Sequence, residues 1–338
     1  MIKNIKKIVA VLNDFEKAEA VLAKAFLFAK AEDATVEVIY VHEVPWFALP
    51  DYFVLESQKG KDTLNKAQVR KEIRQRIAAL EYDKECTLLT YIADTASRVA
   101  HRVKDAENTL IVTAYHDTLS ETLLKNVVQP VLFAKTADTS YQDIVLNVTL
   151  EGQSKACIET AKSLFSESSL KLLYDYRYIV DPSMELDIQN LSIIEESQRK
   201  VFEGLKKHSD LEGTFFIDGT FEGEDLRGYL EKQAFDLMVV CARSSDFFGI
   251  NPLAMDLLKD DDIHGDILVQ STAITQQKLD TIKEAVMQTD SLPKEEKALA
   301  VQKIEAWYAE DRGMELLSEQ LLQVSKNIRP ILAEMGLL

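Results

Sequence analysis

Arg243-Ser244-Ser245 is the stretch of this 338-residue chain best suited to holding an anion, because a guanidinium offers a fixed fork of donors and the two hydroxyls add to it. The same loop closes at Gly249. A second candidate is His116-Asp117, an imidazole beside a carboxylate, which is the pairing used in acid–base catalysis. The second set comes with no nucleophile or third member, so its plain reading is an exposed loop, and the plain reading of the first is a solvated loop with a surface salt bridge. His42 and Glu43 are chain neighbours, and neighbours in an extended chain do not face each other. They make no metal pair, and His101, His208 and His264 stand alone. Asp260-Asp261-Asp262 reads as a solvated acidic turn without the spaced oxygen ligands of a calcium loop. Cys86, Cys157 and Cys241 are far apart, odd in number and not at metal-ligand spacing. They read as small buried hydrophobes in a reducing compartment. No metal site is expected.

The elements that must position these residues follow from the apolar runs. His116 comes after Leu110–Val112 and Arg243 after Leu237–Val240, runs too short to be core helices. Ligands of an open parallel sheet sit outside the carboxyl ends of its strands, so both loops lie where a ligand would be met. The segment Ala114 to Ser120 contains no glycine, which argues against a glycine-cradled phosphate there. Upstream, Lys7–Leu12 suits a central strand and Asn13-Asp14 supplies a turn and a cap. A helix from Glu16 to Ala31, a strand from Thr35 to Val41, a charged helix ending near Leu80 and a strand from Glu85 to Tyr91 follow. A helix carrying Val99, Ala100 and Val103 leads back to Leu110, and Pro130 introduces Val131–Phe133. This β-α-β-α-β-α-β-α-β order predicts an α/β, doubly wound parallel sheet of five strands.

Beyond a polar spacer the pattern restarts. Strands are expected at Asp143–Asn147, Leu170–Tyr174, Thr214–Ile217, Leu237–Val240 and Ile267–Val269, with helices at Ser154–Leu164, Ser192–Lys207 and Glu224–Gln233. Ile8 matches Ile144 at an offset of 136 and Val112 matches Val239 at an offset of 127, so loops of unequal length separate equivalent elements. The expected organisation is two tandem copies of one domain, 1–136 and 141–270, followed by a C-terminal helical extension, 273–338, of three helices. One of these carries Leu299, Val301, Ile304 and Trp307. A formal charge of −17 argues against nucleic acid and anionic membrane as partners. No apolar run approaches the ~20 residues of a membrane span, and the amino terminus enters a strand pattern without a signal peptide, so a cytoplasmic location is expected.

Lys7-Ile-Val-Ala-Val, then Asn13-Asp14, a helix and Val36-Glu-Val-Ile-Tyr-Val-His-Glu-Val-Pro45 resemble the start of a universal stress protein (UspA-like) domain, and Leu110–Ala114 and Pro130–Leu132 resemble its last two strands. The second copy is similar through Asp143–Asn147 and Asp236–Cys241. The resemblance implies the adenine nucleotide alpha hydrolase-like (Usp, Rossmann-like) fold. Members that bind ATP carry G-x2-G-x9-G followed by Ser or Thr after the fourth strand. Here Ala114 and Asp117 stand at the first two glycines of copy one; in copy two Cys241 replaces the first glycine, and Leu253-Ala254 falls near the final Gly-Ser. Both departures argue against ATP, and Asp117 would repel a phosphate. No other cofactor is expected. The positions that would meet a nucleoside are Asn13 or Asp14 and Val41 in the first copy, and Val148 or Thr149 and Tyr176 in the second.

Family dimers join through the edge strand that ends each domain, which implies an internal domain–domain pseudo-dimer through Val131–Ala134 and Ile267–Val269. The tail helices then remain to cap the body or to form a homodimer. The implied function is a non-catalytic regulatory or scaffolding role in the stress response. The alternative is a nucleotide or small-molecule sensor, or a weak nucleotide hydrolase, working through the Arg243 loop.

Overall fold

Near-continuous apolar runs form the strands of both halves of the chain, as expected of parallel strands covered on both faces. A computed structural model describes residues 5–42, 66–80, 82, 84–92, 99, 102–103, 106, 108–127, 129–138, 140–148, 150, 153–177, 188–218, 224–241, 252–260, 262–270, 283–289 and 292–309. The chain divides into two units, Ile2–Ser140 and Tyr141–Leu338. Among the described residues, no helix is long and apolar enough to cross a membrane.

The first unit runs β1 (Lys7–Leu12), α1 (Ala18–Ala31), β2 (Thr35–His42), α2 (Lys66–Ala79), β3 (Cys86–Ile92), β4 (Thr109–Thr113), α3 (Asp117–Asn126) and β5 (Val131–Phe133). Its strands are all parallel, in the order β3-β2-β1-β4-β5. The order reverses between β1 and β4, where Lys7 faces Thr109 and Val11 faces Thr113. Asp33 and Asn108 take φ of 52° and 51° at the turns leading into β2 and β4, a left-handed geometry that Asp and Asn tolerate better than most residues.

One carboxylate interrupts the apolar interior of this sheet. Glu37, mid-strand on β2, is buried and accepts from Arg102 Nε and Nη2, the latter at 2.9 Å, and from Lys7 Nζ at 3.1 Å. The Arg102 hydrogen bonds hold the Glu37 carboxyl below the usual glutamate range; burial opposes them, and Lys7 assists. The charge is tolerated because it is paired on both oxygens.

The second unit runs β6 (Asp143–Asn147), α4 (Gln153–Leu164), β7 (Ser169–Arg177), α5 (Ile188–Ser209), β8 (Glu212–Asp218), α6 (Glu224–Leu230), β9 (Leu237–Cys241), α7 (Pro252–Lys259), β10 (Asp266–Gln270) and α8 (Lys294–Ala309). Its parallel strands lie in the order β8-β7-β6-β9-β10, reversing between β6 and β9. Polar groups hold the amino ends of these strands together. The buried Tyr141 hydroxyl donates to Asp266 Oδ2 at 2.7 Å, and Asp236 Oδ2 accepts from the amides of Gln142 and Asp143 at 2.6 and 3.0 Å. At the other side of the sheet Tyr174, Tyr176, Phe202 and Phe215 pack together, with the Arg199 guanidinium 4.3 Å from the Phe215 ring centroid.

Two expectations change here. β7 continues through Tyr176 to Arg177 rather than stopping at Tyr174, so Tyr176 belongs to the strand and to this aromatic cluster. On α8, Leu299 is 45% exposed, whereas Ile304 is buried as expected and is joined by Ala300, four residues earlier. The tail helix expected beyond Gly313 lies outside the described residues.

Candidate functional site

The carboxyl ends of β1, β2 and β4 bring together Asn13, Asp14, Val41 and Ala114 in the first unit. Val41 and Ala114 are buried, and Asn13 and Asp14 are half-buried. Thr113 fastens the reversal point from within: its hydroxyl is shared between the carbonyls of Val11 at 3.1 Å and Ala114 at 3.2 Å. Asp14 is occupied locally, since its Oδ1 accepts from the Lys17 amide at 2.9 Å and braces the turn into α1. Beside it the Phe15 ring stacks on Tyr40 at 5.2 Å between centroids, and the Arg76 guanidinium of α2 lies 5.5 Å from the Phe15 centroid. Burial raises the Tyr40 phenol above its ordinary value, and the Asp14 charge adds to the shift. Phe15, Tyr40 and Arg76 escaped the sequence reading because α2 lies far from both rings in the chain. An aromatic residue directly after Asn13-Asp14 was the available signal.

In the candidate His116-Asp117 pair each residue has another partner, in line with the plain reading of a loop. Asp117 is the first residue of α3 and is hydrogen-bonded by the Tyr115 hydroxyl. The Tyr115 phenol is held above its ordinary value mainly by burial, then by Asp117. His116 precedes the helix in extended conformation, with φ −153° and ψ 121°, and its amide donates to Ser120 Oγ at 2.9 Å. Its Nδ1 is buried without a hydrogen-bond partner among the described residues. The loop therefore presents a carboxylate and a phenol where a phosphate would need amides and positive charge.

In the second unit the corresponding strand ends carry Asn147 and Val148 on β6 and its exit, Tyr176 on β7 and Cys241 on β9. Tyr176 is buried against Phe215, which raises its phenol, with a further contribution from Glu195. The reading of Cys157 and Cys241 as separate thiols is overturned. They form a disulfide with a Cα–Cα separation of 6.0 Å across 84 residues of sequence, a geometry well within the range that admits a bridge. Cys86 is free. Thr149, Arg243, Ser244, Ser245 and Gly249 lie outside the described residues.

Glu231, Asp260 and Asp262 approach one another closely enough for their carboxylates to share a cation. Asp260 is already engaged there, by Arg227 Nε at 3.1 Å and by the Asp262 amide at 3.0 Å. The cluster thus behaves as an acidic turn with its own counter-ion.

In each unit a parallel sheet reverses, at β1/β4 in the first and at β6/β9 in the second, which defines a doubly wound α/β protein, the class that holds ligands outside the strand ends at the reversal. Residues 4–133 match the profile of the universal stress protein family. A universal stress protein from Archaeoglobus fulgidus superposes with a TM-score of 0.51 at 13% identity, over 78% of this chain and 96% of its own. A functionally unknown protein from Pseudomonas aeruginosa superposes with a TM-score of 0.53 at 15% identity, over 79% and 92%. At such identities these likenesses concern the fold. No curated protein matches the sequence.

Proposed function

We propose that this universal stress protein-like chain is a non-catalytic regulatory or scaffolding protein of the stress response, without the ATP binding of its glycine-loop relatives. The observation that carries the reading is the β4–α3 junction, where Ala114-Tyr115-His116-Asp117 leads straight into a helix that opens on a carboxylate. Asp117 at the helix start uses the favourable end of the peptide dipoles for itself and leaves a negative charge facing any incoming phosphate. Further support comes from Asp14, whose carboxylate oxygen braces its own turn. We read the two units as copies of one domain, a reading supported by their shared strand order.

Native mass spectrometry of the purified chain in excess MgATP, followed by a denaturing run, tests this. The expected result is a bare chain at micromolar nucleotide. One retained ATP per chain would overturn the reading.

A further inference from the structure

We propose that Cys157 and Cys241 are a reversible thiol–disulfide pair that fastens the reversal point of the second unit when oxidised and frees it when reduced. Cys157 is the fifth residue of α4, the helix that follows β6, and Cys241 is the last residue of β9, the strand beside β6. The bond therefore ties the helix to the strand end where a doubly wound sheet meets its ligand. Both residues are nearly fully buried, at 4% and 6% exposure, among the apolar side chains of the core.

The first unit packs the equivalent positions without a covalent link. Subtracting the offsets of 136 and 127 places Val21 opposite Cys157 and Ala114 opposite Cys241. Both are buried apolar residues, at 1% and 2% exposure, in a sheet of the same strand order. That unit holds its architecture with no covalent link at these positions. A thiol is a small apolar group of the same kind, so the second unit has a packed solution with the bond open as well as closed. The remaining cysteine does not compete. Cys86 belongs to the other unit and lies on β3, and burial raises its thiol above the ordinary range, which keeps it a poor nucleophile.

The co-reactant is a low-molecular-weight disulfide of the glutathione class. One cysteine thiolate attacks the external disulfide, releasing one small thiol and forming a mixed disulfide. The second cysteine then attacks the protein sulfur of that mixed disulfide and expels the second small thiol. Two protein thiols are oxidised, one small disulfide is reduced to two thiols, and two protons pass with them. Reduction is the reverse exchange. Because the sulfurs are buried, exchange proceeds through local opening of α4 rather than by direct attack on the closed structure.

The test uses the full chain in glutathione buffers of graded ratio, with thiols counted by alkylation and mass spectrometry and backbone opening followed by hydrogen exchange. The expected result is one alkylated cysteine in oxidising buffer after denaturation and three in reducing buffer, reversible in both directions. Amide exchange in α4 and at the end of β9 should rise by about tenfold on reduction, with the first unit unaffected. C157V/C241A, which places the first unit's residue types at these positions, should fold and show the reduced-form exchange in every buffer. C86S should follow the wild type. Three alkylated thiols in oxidising buffer would overturn the proposal. So would a bond that opens only on global unfolding, or exchange in α4 and β9 that does not respond to the bond.

Discussion

Replacing Arg102 by Met should destabilise the first unit by about 2 kcal/mol at pH 7, and the cost should nearly vanish when Glu37 is replaced by Leu in the same chain. The estimate follows from the geometry. Arg102 gives Glu37 two hydrogen bonds, and each bond to a charged group contributes roughly 1.5–3 kcal/mol when dry. The Glu37 side chain is only 8% exposed, whereas that of Arg102 is 40% exposed, so solvent screening brings the sum below its dry range, to about 2 kcal/mol. With Arg102 gone, Lys7 alone faces a buried carboxylate; with both changed, the site holds two apolar side chains. K7M should cost less than R102M, because Lys7 gives Glu37 one hydrogen bond and Arg102 gives it two.

The pH dependence has a definite sign. The folded pKa of Glu37 lies below its ordinary 4.5, so its stabilisation is complete above about 4.5 and disappears as pH falls through the folded value. The gap between wild type and R102M should therefore close below that pH. Native-state hydrogen exchange of the β1 and β2 amides between pH 7 and pH 3.5 reads the effect within this unit. Equal losses in R102M and E37L/R102M, or a gap that persists in acid, would refute the account.

Other outcomes are as specific. G213A on β8 should cost 2 kcal/mol or more, roughly, since its added Cβ would stand 2.7 Å from both the Cβ and the backbone carbonyl of Leu172 on the paired strand, which no rotamer can relieve. G204A inside α5 meets nothing within 4 Å and should stabilise by about 0.5–1 kcal/mol; urea unfolding of the two variants gives opposite signs if the packing is as described. Y141F removes a 2.7 Å bond from the fully buried Asp266 and should lower stability by about 1–3 kcal/mol, measured by the same denaturation.

The strands were legible because a parallel strand covered on both faces must be apolar at nearly every position, and Ile111, Val239 and Leu268 sit in runs that fit no other element. Boundaries were less so. β7 runs on to Arg177 because Tyr174 and Tyr176 share one face, and their phenols read as polar in a pattern of buried aliphatics. On α8, Leu299 and Ala300 are consecutive, so a rotation of one residue decides which row is buried, and the size of leucine misdirects the choice. The candidate site was legible in its chain positions and illegible in its contacts. Asp117 follows β4 as expected, but its partner is Tyr115 rather than His116, because the start of a helix sets directions that spacing alone does not. The Cys157–Cys241 link spans 84 residues and leaves no periodic trace.

The placement of β1 between β2 and β4 sets the timetable of synthesis. Lys7 meets its partner Thr35 within about 30 residues, whereas its other partner, Thr109, emerges about 74 residues later. At roughly 5–20 residues per second the central strand waits about 4–15 s on the ribosome with one edge unpaired. Chains arrested before Thr109 keep that row of amides and carbonyls open, and their association through it, edge to edge, is the misfolding route this topology creates.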